Sequence, residues 1–134
     1  MSEPLAAIQA WRSCADSALE AATKLVESHP RSSVSRSYYA AFAAAHAFLL
    51  SKGETPRAEL DTWTHESIGS HVGTVLSRSH PHYLVASMRS SIDECKRLRV
   101  IADYGPLLTL ESRDAKQARR LAGQVLELVD RIAE

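Results

Sequence analysis

Five prolines, Pro4, Pro30, Pro56, Pro81 and Pro106, divide the chain at intervals of 26, 26, 25 and 25 residues. Proline has no backbone N–H, and its ring clashes with the preceding turn of a helix. Any helix here must therefore begin or end near these positions. The segments between them carry apolar residues at a 3.6-residue period, and strict two-residue alternation persists nowhere beyond a few positions, so no strand is expected.

The first helix is expected from about Pro4 to Ser28, with Leu5, Ile8, Trp11, Ala15, Ala18, Ala22, Leu25 and Val26 recurring at i+3/i+4 before His29-Pro30 ends it. The second is expected from about Ser32 to Lys52, with Gly53 as its C-terminal cap. Alanine fills six of the eight positions from Ala40 to Ala47, which predicts very close approach of a neighbouring helix or a partner chain. A shorter helix from about Thr64 to Arg78 contains Gly69 and Gly73. A fourth runs from Pro81 or His82 to Ala102 and stops at Asp103-Tyr104-Gly105-Pro106. The last continues to about Ala133, with Thr109 or Ser112 as its N-cap. Short connections favour antiparallel neighbours, so the expected fold is an all-α up-and-down antiparallel bundle of four to five helices in a single domain, residues 1–134.

Composition narrows the function classes. Sixteen basic residues balance sixteen acidic ones, which excludes a surface that neutralises nucleic acid everywhere and leaves room for a local basic site. The longest apolar stretch, Tyr38 to Leu50, is interrupted by His46 and is too short to span a bilayer, and no basic-then-apolar leader opens the chain. A cytoplasmic protein with no membrane partner is expected. Cys14 and Cys95 have no CxxC partner or nearby His, and read as buried free thiols. His80-Pro81-His82 is too short for a metal site and reads as a turn, so no metal or other cofactor is expected.

Two segments go beyond a generic bundle. Ser35-Arg36-Ser37-Tyr38-Tyr39-Ala40-Ala41-Phe42, followed by the alanine run, Leu49-Leu50 and Lys52-Gly53, resembles the second helix of the HEPN domain family. Arg97-Leu98-Arg99-Val100-Ile101-Ala102-Asp103-Tyr104 resembles the Arg-x-x-Ala-Asp-Tyr signature that closes the fourth helix in one branch of that family. Thr64-His65 sits where such proteins often have Thr-His opening the third helix, and the resemblance runs from about Ser32 to Ile132. It implies a dimerising helical bundle, often encoded beside a small nucleotidyltransferase in prokaryotic toxin–antitoxin pairs. Active members are metal-independent RNA endonucleases whose signature is Arg, four to six residues, then His, with two copies meeting in one composite site. In this chain the residue five places after Arg99 is Tyr104, and no His follows His82. In some family members a tyrosine near the motif receives a nucleotide from the partner enzyme, and Tyr104 corresponds by position.

Metal-free RNA cleavage needs a group to take the 2′-OH proton, a group to protonate the leaving oxygen, and positive charge for the transition state. The catalytic candidates are Arg99, Asp103 and Tyr104, with His65 or His46 as a substitute for the motif histidine. The binding candidates are Arg36, Tyr39, His65 and Arg97. Each also has a purely structural reading. Arg99 and Asp103 have the spacing of an intrahelical ion pair. Lys96, Arg97 and Arg99 suit a helix C-terminus. Tyr38, Tyr39 and Phe42 suit a core, and His46 a hydrogen-bonded core or interface position. Arg113, Lys116, Arg119 and Arg120 read as a solvent face first and an RNA contact second. The expected function is RNA cleavage or RNA binding by a homodimer paired with a nucleotidyltransferase antitoxin, or else a non-catalytic module that binds such an enzyme or a nucleotide.

Overall fold

A computed structural model of the chain describes residues 3–57 and 60–133. It contains five helices: α1 (Glu3–Leu25), α2 (Pro30–Ser51), α3 (Ile68–Ser77), α4 (His82–Tyr104) and α5 (Ser112–Ala133). The all-α bundle expected from the periodicity is the observed fold. None of the helices is long and apolar enough to cross a membrane.

The alanine-rich helix lies at the centre, packed against all four others. Every residue from Ala40 to Leu49 is buried. A helix apolar on all sides belongs inside a bundle, and alanine side chains let neighbours approach from each direction. Around α2 the core is closed by Ile68, Val72 and Leu76 from α3, Met88, Ile92 and Cys95 from α4, and Val125 and Val129 from α5.

Cross-helix contacts establish the directions. Arg12 near the start of α1 meets Asp130 near the end of α5, while Thr23 near the end of α1 meets Arg119 near the start of α5. Trp11 stacks on His46 and Ser33 donates to Ala22 O, so α1 and α2 are antiparallel as well. Gly69 lies against Asp93 and Gly73 against Arg89, which makes α3 antiparallel to α4. The two α3 glycines thus have a packing reason: a Cβ at Gly73 would lie 2.6 Å from Arg89 Cδ, and one at Gly69 would lie 3.1 Å from Asp93 Oδ1. Because Arg31 reaches the end of α4 and Tyr39 meets Arg99, α2 and α4 are antiparallel too. It follows that α2 and α3 run the same way, and the segment after α2 must climb back along the bundle.

Several boundaries differ from expectation. Pro30 is the first residue of α2, where a missing N–H costs nothing, so it opens a helix instead of lying between two. Thr64 and His65 precede α3, because Thr64 Oγ1 accepts from Ser67 N and holds a turn there. The fourth helix continues through Asp103 and Tyr104, with Gly105 N donating to Ile101 O at 2.9 Å. Neither Thr109 nor Ser112 caps α5; Asp114 Oδ2 instead accepts from Glu111 N at 2.9 Å. Cys14 is exposed, while Cys95 is buried and its thiol is pushed up to about 12 by burial.

Candidate functional site

The site forms where α2, the segment before α3 and the last turns of α4 meet. Adjacent residues on a helix point about 100° apart, so Tyr38 and Tyr39 cannot share a role. Tyr38 is fully buried, and its hydroxyl lies 2.7 Å from His65 Nδ1. Tyr39 sits at the margin, where its hydroxyl accepts from Arg99 Nη2 at 3.3 Å. The Arg36 guanidinium stacks over the other part of this group, 4.9 Å from the Tyr39 ring centroid.

Arg99 is the centre of the cluster. Its guanidinium carbon lies 5.5 Å from the Tyr38 ring, 5.7 Å from the Tyr39 ring and 5.5 Å from the Tyr104 ring, all within the range of favourable cation–π attraction. Asp103 Oδ2 is 2.9 Å from Arg99 Nε, giving the i,i+4 pair that the spacing allowed. Nε is not aligned for a hydrogen bond there, so the contact is electrostatic. Burial works against the Arg99 charge, but the hydrogen bond that Arg99 donates to Tyr39 and the neighbouring Tyr39, Asp103 and Tyr104 outweigh it and hold the guanidinium above its usual range. The Arg99 side chain is only 12% exposed, whereas Tyr104 is 69% exposed at the helix end.

His65 completes the group. Its ring stacks on Phe42 at 4.4 Å and meets the Tyr39 ring edge-on at 6.0 Å. Burial lowers its pKa, and the positive charge of Arg99 lowers it further. His65 reaches this place because of His46. Within the core, His46 Nδ1 donates to Phe42 O at 2.9 Å, and Nε2 accepts from Trp63 N at 3.1 Å. The ring also stacks on Trp11 at 4.1 Å. This fixes the climbing segment two residues before His65. Burial lowers the His46 pKa, with the Phe42 carbonyl opposing and His65 adding to the effect.

A second support was not visible in the sequence pattern. The Arg31 guanidinium donates to Ile101 O and Ala102 O at 3.0 Å, to Gly105 O at 2.9 Å and to Leu108 O. It therefore caps the α4 terminus that carries Asp103 and Tyr104. No local signal predicts this, because the acceptors lie some seventy residues away in the chain. Tyr38, expected only as core, is also part of the site through His65.

Of the expected residues, Arg36, Tyr39, His65, Arg99, Asp103 and Tyr104 are brought together. Arg97 is not among them. It points away on α4, donating to Glu94 Oε1 at 2.6 Å and Oε2 at 3.0 Å, and this bond keeps the Glu94 carboxyl below its usual range. The basic run of α5 is likewise engaged with its surroundings: Lys116 pairs with Glu27, Arg113 with Glu111, and Arg119 with Thr23.

Two depressions adjoin the cluster. An apolar groove of about 640 Å³ between α1 and α2 is bordered by Trp11, Cys14, Ala18, Arg36, Tyr39 and Ala43. A smaller one of about 210 Å³ is bordered by Arg31, Ser35, Arg36 and Asp103, so Arg36 belongs to both. Guanidinium groups suit phosphate oxygens, and aromatic faces suit planar bases; the arrangement is chemically equipped for both.

No curated protein and no solved structure matches the chain. A family model does, that of the HEPN domain, over residues 8–132. That span takes in all of the helices that build the site from Arg36 to Tyr104, and the chain belongs to the HEPN domain family.

Proposed function

We propose that this protein is the RNA-binding, RNA-cleaving component of a prokaryotic toxin–antitoxin system, acting in the cytoplasm as a homodimer beside a nucleotidyltransferase antitoxin. Family membership points to an RNA-related or nucleotide-binding role. The observation that carries the finer reading is the convergence of the two motif segments on Arg99, with Arg36, Tyr39, His65, Asp103 and Tyr104 around it. Arg99 supplies a permanent cation, and its neighbours supply groups that hydrogen-bond and stack. Cleavage would use Arg99 to stabilise the transition-state charge, with Asp103 holding the guanidinium in place and Tyr104 at the open edge in the position of the motif histidine. Incubating the purified protein with total RNA tests this reading. The wild type should cleave, and Arg99→Ala should not while keeping its helical content; cleavage unchanged by the substitution refutes the catalytic role.

A second reading, a non-catalytic module that binds the nucleotidyltransferase or a nucleotide, is favoured by a separate observation. Val100, Tyr104, Leu107 and Leu108, around the end of α4, are all exposed, with Leu107 at 96%. Apolar side chains gathered at one end suit a protein partner. Co-expression with a nucleotidyltransferase partner of the proposed kind, followed by mass spectrometry of Tyr104, separates the readings: a modified Tyr104 supports the antitoxin pairing, and an unmodified one in a stable complex supports the non-catalytic module.

A further inference from the structure

The Tyr38–His65 contact determines which ring nitrogen of His65 carries its hydrogen. Tyr38 is fully buried, and among the described residues its hydroxyl has one hydrogen-bond partner, His65 Nδ1 at 2.7 Å. A buried phenol must donate its proton to an acceptor or bear the cost of leaving it unsatisfied. If His65 carried its hydrogen on Nδ1, the phenol oxygen would have to accept it, and the phenol's own buried hydrogen would have no acceptor. The phenol therefore donates to Nδ1, and the neutral imidazole carries its hydrogen on Nε2. Nε2 makes no hydrogen bond among the described residues, and the Phe42 ring stacked at 4.4 Å fixes the ring plane. Arg99 and His65 border the same two tyrosine rings, at 5.5 and 5.7 Å and at 5.5 and 6.0 Å.

We propose that His65, locked by Tyr38 with its hydrogen on Nε2, is a neutral hydrogen-bond donor to a non-bridging phosphate oxygen of RNA, acting alongside Arg99. This deepens the RNA reading and rests on it. The donor role does not require an imidazolium. The groups facing His65 are Tyr38, Tyr39 and His46 from α2, Arg99 and Lys96 from α4, and Glu66 beside it. Burial, Arg99 and Lys96 favour the neutral ring, and Glu66 alone opposes them. RNA affinity should then be flat above neutral pH, where a protonated histidine would lose its hold.

Two measurements decide the matter. In the first, the nitrogen-15 spectrum of the His65 imidazole in the whole protein should show Nε2 bearing the hydrogen and Nδ1 bare, with Tyr38→Phe producing a mixture of the two forms. A hydrogen on Nδ1 in the wild type overturns the proposal. In the second, anisotropy of a fluorescein-labelled single-stranded oligoribonucleotide is followed for wild type, Arg99→Ala, His65→Gln and His65→Asn. Glutamine retains a donor near the Nε2 position, whereas asparagine retains an acceptor for Tyr38 and has no donor there. His65→Gln should stay within about twofold of wild type, and His65→Asn should weaken binding about tenfold, the usual worth of a hydrogen bond to a charged group. Equal binding by His65→Asn and wild type, with Arg99→Ala impaired, overturns the His65 role and leaves the RNA reading standing. No RNA binding by the wild type overturns both, and affinity that falls through neutral pH in the wild type alone identifies an imidazolium and overturns the neutral donor.

Discussion

Replacing Arg31 by Met should destabilise the bundle and should do so first at one end. Methionine preserves most of the apolar stem and removes every donor. The guanidinium serves four carbonyls: Ile101 and Ala102 at 3.0 Å, Gly105 at 2.9 Å and Leu108. Water can replace the contact to Leu108 O, which is exposed, but it replaces those to Ile101, Ala102 and Gly105 less well because they are partly buried. A hydrogen bond from a charged donor is worth ~1.5–3 kcal/mol, and a cation at a helix C-terminus adds up to ~1 kcal/mol. Donors on one side chain do not add, so the expected loss is about 2–3 kcal/mol. For a domain of this size that corresponds to a melting temperature lowered by about 10 °C. Calorimetry measures the total, and amide hydrogen exchange locates it: protection should fall over 101–108 before it falls in α2. Asp103 lies in that last turn, so the proposed RNA binding should weaken at temperatures well below melting. A melting temperature within about 2 °C of wild type, or exchange rising evenly through the protein, would refute the capping argument.

Both His46 and His65 are lowered by burial. The unfolded chain therefore takes up protons below about pH 6.5 that the folded chain refuses, so stability is full above that pH and declines as pH falls beneath it. The urea midpoint should drop between pH 7.5 and 5.5, a window above the titration of Asp130 and Glu94, and the drop should be smaller in His46→Gln, whose carbonyl can still accept from Trp63 N; equal drops would exclude His46. Gly123 sits inside α5 with nothing within 4 Å of an added Cβ, so Gly123→Ala should stabilise by about 0.5–1 kcal/mol, read as a rise in melting temperature. Arg12 grips Asp130 through two bonds of 2.7 Å and joins α1 to α5, but Asp130 is 55% exposed, so a double-mutant cycle should give a coupling of only about 0.5–1 kcal/mol. Ala44 is fully buried at the centre, and Ala44→Leu should cost about 2–3 kcal/mol by overpacking, with a melt unchanged from wild type counting against close packing there.

The helices were legible because each is long and periodic. Alanine density marked α2 as the closest-packed element, and its central position is the consequence. The boundaries were less legible. Tyr104 remains helical because Arg31, far away in sequence, holds the final carbonyls that Gly105 and Pro106 would otherwise release. Thr64-His65 was expected to open the third helix because such a pair often does so in the family it resembles, yet the Thr64 hydroxyl holds a turn one step earlier. Cys14 read as a buried thiol because it lies in a helix with no CxxC partner or nearby His, but it borders an open groove instead of the core.

The same distinction explains the site. Arg36 and Tyr39 lie within one turn, and Arg99, Asp103 and Tyr104 within about a turn and a half, so local spacing was enough to group each set. Arg97 fits the basic pattern equally well in sequence, but it stands two residues from Arg99 and so points to the opposite side of the helix, where Glu94 takes it up. The place of His65 depends on a segment with no periodicity at all. Trp63 N donating to His46 Nε2 aligns that segment just before His65. The contact requires His46 to be neutral, with its other nitrogen donating to Phe42 O, and that requirement is met only within the packed alanine run. The alanines that make the bundle compact therefore also bring His65 to Tyr38, and a substitution that loosens α2 at Ala43 or Ala47 should disturb the site through this segment before any site residue is touched.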